Sequence, residues 1–332
     1  MININIHNLI GLNISNSPKN ISKFIAEEFF NFIQKRSFKK NILIKFRTKI
    51  RVPSDALKLN KNLYYETKLK IFYFIKDDKI LSYNLSKYFK NKIFIEIEKS
   101  FNKWFFLYAI ESTIYVLLSK KKICMLHAGA VKKKNSSHLI LGPQGSGKTL
   151  YALNKIREGY SFLGDEYIFL KNKVECLSYP RPVNFKKFHH NHYHIAYNYW
   201  LRSLKKTEKF KWFFKQILKS ILFKAEWKPM IRLRINRIYP KAKIVIKTKI
   251  NKVILKFVNS NIAKSDFLSF YPKIILKNVQ FEMINRFISI YKYIFLPKDI
   301  FLKKVISDIN KLEKNKIKII KKIFIKNIKN AN

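Results

Sequence analysis

Glycine is scarce in this 332-residue chain: there are seven, and six of them (Gly129, Gly142, Gly145, Gly147, Gly159 and Gly164) fall within one short stretch. Glycine permits backbone geometries and close approaches that a Cβ blocks, so special geometry is concentrated between positions 129 and 164. The two cysteines, Cys124 and Cys176, sit in no CxxC or other metal-like spacing. That excludes a disulfide framework and a zinc ribbon, and a reducing cytoplasm is the expected home. Long apolar runs are also lacking. The longest, residues 104–118, contains Glu111, Ser112 and Thr113 and is shorter than a bilayer span, so it reads as a buried helix and no transmembrane segment is expected. The start, MININIHNLIGLNIS, has no basic region or small-residue cleavage site, which argues against a secretory signal.

Acidic residues are few. Asp and Glu number 20 against 69 Lys and Arg, a formal charge of +49. Such a balance fits nucleic acid, anionic lipid or an acidic partner. The cations are overwhelmingly Lys, however, accompanied by abundant Ile, Asn, Phe and Tyr, the residues an AT-rich coding sequence yields whatever the protein does. The charge alone therefore names no partner, and without helicase-like motifs nucleic acid is not expected.

At roughly 150 residues per domain, the length suggests two domains. Up to about residue 100, short β-rich runs such as 42–46 and 70–75 accompany an amphipathic helix candidate at 21–34, with Asp77-Asp78 as a hairpin turn. The glycine-bearing stretch reads as strand (123–127), turn, strand (138–141), loop, helix (148–158) capped by Gly159, and strand (160–163). A hairpin over 167–177 follows, then a basic aromatic helix near 210–223, strand-like 243–257, and an amphipathic Lys/Ile helix from about 299.

The loop reads Gly142, Pro143, Gln144, Gly145, Ser146, Gly147, Lys148, Thr149 between an apolar run and a helical run. This is the phosphate-loop pattern, in which backbone N–H groups and the following helix N-terminus stabilise a triphosphate. Lys148 reaches the β- and γ-phosphate oxygens in that pattern, and the Thr149 hydroxyl completes the coordination of Mg²⁺. ATP and Mg²⁺ are the expected cofactors. The next strand ends at once in Gly164-Asp165-Glu166, an acidic pair placed to serve the same site.

In order along the chain come Leu126-His127-Ala128-Gly129-Ala130-Val131, Leu139-Ile140-Leu141 with the loop, Phe162-Leu163-Gly164-Asp165-Glu166, and Tyr179-Pro180-Arg181-Pro182. Together they resemble the HPr serine kinase/phosphorylase-related family, whose catalytic domain is similar in fold to phosphoenolpyruvate carboxykinase. The strong part of the resemblance covers about 123–183, with a weaker echo in 235–257. It implies an α/β fold. A P-loop kinase core with a mixed β-sheet and a C-terminal amphipathic helix would span 119–332, preceded by a smaller α+β region over 1–118 that selects a substrate or partner. It implies that one of Asp165 and Glu166 is the base toward the acceptor while its neighbour joins Thr149 in holding the metal, and that His127 lies near the transferred phosphate. The N-terminal domain of the HPr kinases and their Gly-containing C-terminal signature are not found, and Glu166 stands where an Asp is common.

The expected activity is Mg²⁺-ATP-dependent phosphorylation of a hydroxyl acceptor, serine free or within a peptide or protein. The alternative is a non-catalytic ATP-binding regulatory module that docks an acidic or membrane partner; the acidic pair is useless to a pure binder. A homo-oligomer is compatible with either. Three further features stay open. Arg181 can meet phosphate or cap a loop against solvent. The cluster His189, His190, His192 and His194 can bind a metal if extended, since i, i+2 spacing aligns side chains on a strand. Residues 205–228 interleave Lys with Trp212, Phe213, Phe214, Phe223 and Trp227, which suits either anionic lipid or a helix with its aromatics on the core.

Overall fold

The computed structural model describes residues 1–34, 38–142, 145–171, 175–223 and 230–256, and positions 299–301, 303–305, 307, 308, 311, 314, 315 and 318. The architecture is mixed α/β, and the chain forms two compact units. The first comprises Met1–His127, Phe169–Leu177 and the described residues from Asp299 on; the second comprises Ala128–Ile168 and the described residues of Ser178–Val258.

The first unit is built on a sheet of eight strands. Apolar residues of β1 (Ile2–Ile6) and β2 (Ile10–Ser15) form a hairpin, and α1 (Lys19–Glu28) crosses over to β3 (Lys40–Arg47), parallel to β2. The helix buries Ile21 and Ile25, one turn apart, and stops well short of the expected residue 34. Strands β4 (Leu57–Asn60), β5 (Leu63–Glu66), β6 (Ile71–Lys76) and β7 (Lys79–Asn84) meander antiparallel into β8 (Ile93–Glu98), which returns beside β3 in parallel. Asp77 and Asp78 make the β6–β7 turn with φ of 50° and 56°, the left-handed pair that a two-residue hairpin favours. Helix α2 (Lys103–Lys120) packs on β2 and on β9 (Cys124–Leu126), and every residue from Phe106 to Ser119 except Tyr108 is buried. Its buried hydroxyls are satisfied locally: Ser112, Thr113 and Ser119 donate to the carbonyls four residues back at 2.7, 2.8 and 2.6 Å. Among the described residues no helix is long and apolar enough to cross a membrane.

In the second unit β10 (Ala128–Lys133) and β11 (Ser136–Leu141) precede α3 (Lys148–Arg157) and β12 (Ser161–Gly164). The chain then returns to the first unit as the hairpin of β13 (Ile168–Lys171) and β14 (Glu175–Leu177), with β13 beside β9. The chain continues through β15 (Val183–Phe185), α4 (Asn191–Ser203), α5 (Lys206–Phe223), β16 (Ile231–Leu233), α6 (Ile235–Ile238), β17 (Lys247–Lys249) and β18 (Lys252–Leu255). The sheet order is β12-β10-β11-β18, with β10 antiparallel to both neighbours and β18 parallel to β11. Helix α3 lays Ala152, Leu153 and Ile156 in one core with Val131, Ile140 and Phe162. Each such side chain contributes about 1.5–3 kcal/mol relative to exposure.

Three expectations are corrected here. The stretch 128–133 is not part of a turn but β10, an inner strand, since Gly129 sits in a ladder opposite Ile140. The unit boundary falls after His127 rather than after residue 118, because α2 and β9 belong with the sheet before them. The unit containing the N-terminus is also the larger one, and the β13–β14 hairpin and the described residues of 299–318 belong to it as well. There the Tyr65 hydroxyl and Lys70 ammonium donate to Asp299 at 2.9 and 3.1 Å, Tyr88 donates to Asp308 at 2.9 Å, and Val305 is buried. The described lysines of that segment, such as Lys303, Lys304 and Lys311, face solvent.

Candidate functional site

The glycine-rich loop leaves the inner edge of β11 and ends on α3. Pro143 and Gln144, both expected in the loop, lie outside the described residues. Gly145 and Gly147 have φ of 81° and 85°, left-handed values that a side chain would strain. Gly147 is the N-cap of α3 and provides no side-chain cap, so the first N–H groups of α3 have no intrahelical acceptor and face the loop end. Lys148 is buried, and its ammonium donates to the Gly142 carbonyl at 2.8 Å. The Ser146 hydroxyl oxygen is buried with no hydrogen-bond partner among the described residues. A cation, helix amides and a buried hydroxyl thus converge on one loop, a donor set that suits phosphate oxygens.

Thr149 lies one residue into α3 and donates its hydroxyl hydrogen to Asp165 Oδ2 at 2.9 Å. Asp165 is held there by tight backbone packing. A Cβ on the preceding Gly164 would come within 2.9 Å of the Tyr167 carbonyl and 3.2 Å of the Tyr179 carbonyl. Tyr179 N–H donates to the Leu163 carbonyl at 3.0 Å, which lays residues 178–182 along the end of β12.

Glu166 turns to different partners. Its Oε1 accepts from Asn184 Nδ2 at 2.7 Å, its Oε2 lies 3.3 Å from the Arg181 guanidinium, and Arg232 stands 3.8 Å from Oε1. Arg232 also donates to Asn184 Oδ1 at 2.7 Å. Arg181 is 7% exposed, so it does not cap a loop against solvent but pairs with a carboxylate inside the unit. Asn184 and Arg232 are not among the residues the sequence pattern singles out. They meet because β15 pairs with β16 in a register that sets Asn184 opposite Arg232. A lone Arg between Ile231 and Leu233 in a short strand is the one signal that could have found them.

The structure therefore gathers Lys148, Thr149 and Asp165 at the loop, with Glu166 diverging from Asp165 toward Arg181. His127 is half-buried and ends the first segment of the first unit; the next residue, Ala128, is the register partner of Leu141, the last residue of β11. Behind α3, His138 shares a hydrogen bond of 3.0 Å with the Tyr151 hydroxyl, and burial, with Lys252 and Lys155 nearby, pushes its proton affinity down.

The histidine cluster is helical rather than extended. His189 ends a single 3₁₀ turn and accepts from Lys186 N–H at 3.1 Å through Nδ1. His192, on α4, uses both ring nitrogens, one on the Tyr239 hydroxyl and the other on Asn154 Oδ1 at 2.7 Å. His190 and His194 are exposed. His192 thereby ties α4 to Tyr239 and to α3, and the strand geometry that a metal reading required is not there.

Compared with known proteins, the chain matches no family model and no curated protein.

Proposed function

We propose that this chain is a Mg²⁺-ATP-dependent kinase of the HPr serine kinase type, phosphorylating a hydroxyl acceptor, with the second unit as its P-loop core. The observation that carries the reading is the Thr149–Asp165 hydrogen bond, which joins the loop to the acid after the next strand. In phosphoryl transfer the protein mainly positions groups and neutralises charge, and it needs a phosphate cradle, a metal and a carboxylate by the attacking hydroxyl.

Each residue has a role set by its place. Lys148, resting on the Gly142 carbonyl, exchanges that carbonyl for phosphate oxygens. Thr149 would hold Mg²⁺ through its hydroxyl oxygen, with Asp165 orienting Thr149 by accepting that hydroxyl's hydrogen. The bound metal supplies neutralisation of charge that develops on the phosphate oxygens. Asp165 is also the carboxylate nearest the loop, and we assign it the acceptor-hydroxyl proton. Glu166 anchors Arg181 and Arg232 beside the site instead of acting as base.

A second reading has one observation in its favour. Both carboxylates are already engaged, Asp165 by Thr149 and Glu166 by Asn184 and the guanidinium groups, which suits an ATP-binding regulatory module without transfer chemistry. Turnover of γ-labelled ATP with Mg²⁺ decides between them, with free serine and a whole-lysate acceptor pool, in wild type, Lys148→Ala and Asp165→Ala. Label in an acceptor that both variants lose supports the kinase; ATP binding with no Asp165-dependent label in any acceptor leaves the regulatory module.

A further inference from the structure

Helix α5 inverts the usual partition of its residues. Phe210, Phe213, Phe214 and Ile217 recur at i, i+3, i+4 and i+7, the spacing that places side chains on one helical face. That face is turned outward: the four are 71, 65, 56 and 40% exposed. Trp212 holds the helix from its other side. Its ring packs edge-on against Trp200 of α4 with centroids 5.0 Å apart, and its Nε1–H donates to the Tyr197 hydroxyl at 3.3 Å. Tyr197 and Trp200 in turn pack against the core of the second unit. The rotation of α5 is thus set by Trp212, and Phe210, Phe213 and Phe214 are left to water.

A contiguous apolar stripe on an exposed helix marks an interaction surface. Its flanks indicate the chemistry of the occupant. Lys205, Lys206, Lys209 and Lys211 are exposed around the stripe, while the single acid of α5, Glu208, accepts from the Lys205 N–H at 2.9 Å. Phenylalanines on one face with lysines at its edges are the pattern of a helix lying in a membrane interface, where rings enter the acyl boundary and ammonium groups reach headgroup phosphates. The whole chain's charge of +49 adds attraction toward an anionic leaflet.

We propose that α5 is the membrane-contacting element of this protein, lying in the interfacial plane of an anionic lipid bilayer with Phe210, Phe213, Phe214 and Ile217 inserted. The inference does not depend on any ATP chemistry, so each can fail alone.

The full chain is sedimented with vesicles of phosphatidylcholine containing phosphatidylglycerol, and with vesicles of phosphatidylcholine alone. Wild type pellets with the anionic vesicles and much less with the neutral ones. The double variant Phe213→Ser, Phe214→Ser keeps every charge and, being changed at exposed positions, keeps its urea midpoint, yet partitions about a hundredfold more weakly, about tenfold for each ring withdrawn. A Lys209→Gln, Lys211→Gln variant keeps the stripe and binds with a shallower salt dependence. The proposal is overturned if wild type ignores anionic vesicles, if it binds neutral ones equally, or if the phenylalanine variant pellets like wild type, which would mean adhesion by charge alone. It is also overturned if the stripe proves to hold a second copy, seen as self-association that the phenylalanine variant abolishes while vesicles are not bound.

Discussion

Helices α3 and α5 of the second unit both break the ordinary rule of burial, in opposite directions. The first begins with a lysine that is 6% exposed, and the second shows solvent a phenylalanine that is 65% exposed. A buried ammonium is costly without a partner, and here the Gly142 carbonyl accepts from it. An exposed phenyl ring forgoes about 1.5–3 kcal/mol of burial and gains nothing from water. Both helices are amphipathic and rich in Lys, so composition does not separate them. What separates them is which side chains lie on the unusual side of the protein surface, a buried lysine on α3 and exposed phenylalanines on α5.

The largest effect that tests this contrast is at Lys148. Lys148→Ala removes the cation of the loop and is expected to lower turnover by about a thousandfold, as loss of a charge that stabilises a phosphoryl transition state does. It also removes the rise in melting temperature on adding Mg²⁺-ATP. Lys206→Ala, at an exposed position of α5, leaves both readouts unchanged. Equal loss in the two variants would break the comparison, because the lysines would then act through net charge and not through position.

Stability separates the same helices less steeply. Leu153 on α3 is 1% exposed, and Leu153→Ala is expected to cost about 2–5 kcal/mol by leaving a cavity. Phe213→Ala on α5 removes more atoms but is expected to change stability by less than about 0.5 kcal/mol, the range of surface substitutions. Urea unfolding of both variants measures the pair. A large loss at Phe213 would show that its ring is covered by protein in solution and would count against the lipid-facing stripe.

Much of this is legible in the amino-acid sequence. The loop stands out because glycine is otherwise rare, and the helix after it, the hairpin at Asp77-Asp78 and the buried helix over 104–118 follow from local pattern alone. What local pattern hides depends on distant pairing. Ala128-Gly129-Ala130-Val131 reads as a turn by residue type, and only its two neighbours in the sheet make it a strand. Asn184 and Arg232 form one cluster with Glu166 through a β-ladder between segments 48 residues apart. The histidines resemble a ligand row only if their i, i+2 spacing lies on a strand, whereas His189 ends a 3₁₀ turn and α4 leaves His192 buried and His194 exposed. For α5 the pattern gives the amphipathic helix but not its rotation, which Trp212 sets through contacts on α4.

The Glu166 cluster gives a smaller test of position over charge. Arg232→Lys keeps the charge but removes the guanidinium nitrogen, Nη1, that stands against both Asn184 and Glu166. Turnover is expected to fall about tenfold with the KM for ATP unchanged, the size of one charged hydrogen bond. A KM effect instead would place the arginine on the nucleotide rather than beside the acceptor side of the site.

The smallest effect concerns how α5 is mounted. It hangs from α4, and the turn before α4 contains His189, whose proton affinity is pushed down from 6.5 to about 4 by burial, with Lys186, His192 and His190 adding repulsion. The folded chain therefore keeps this ring neutral between those values while the unfolded chain takes up a proton. Protons are then bound in greater number by the unfolded state, so stability rises with pH across that window. The contribution is fully present above pH 6.5 and is lost as pH falls toward about 4. Urea midpoints measured at steps through this range are expected to decline on acidification, and more shallowly in His189→Gln, which keeps an acceptor for the Lys186 N–H but cannot take the proton. An identical slope in the variant would mean that the ring is not held neutral in this turn, and that the α4 mounting which fixes the outward face of α5 is looser than its hydrogen bonds indicate.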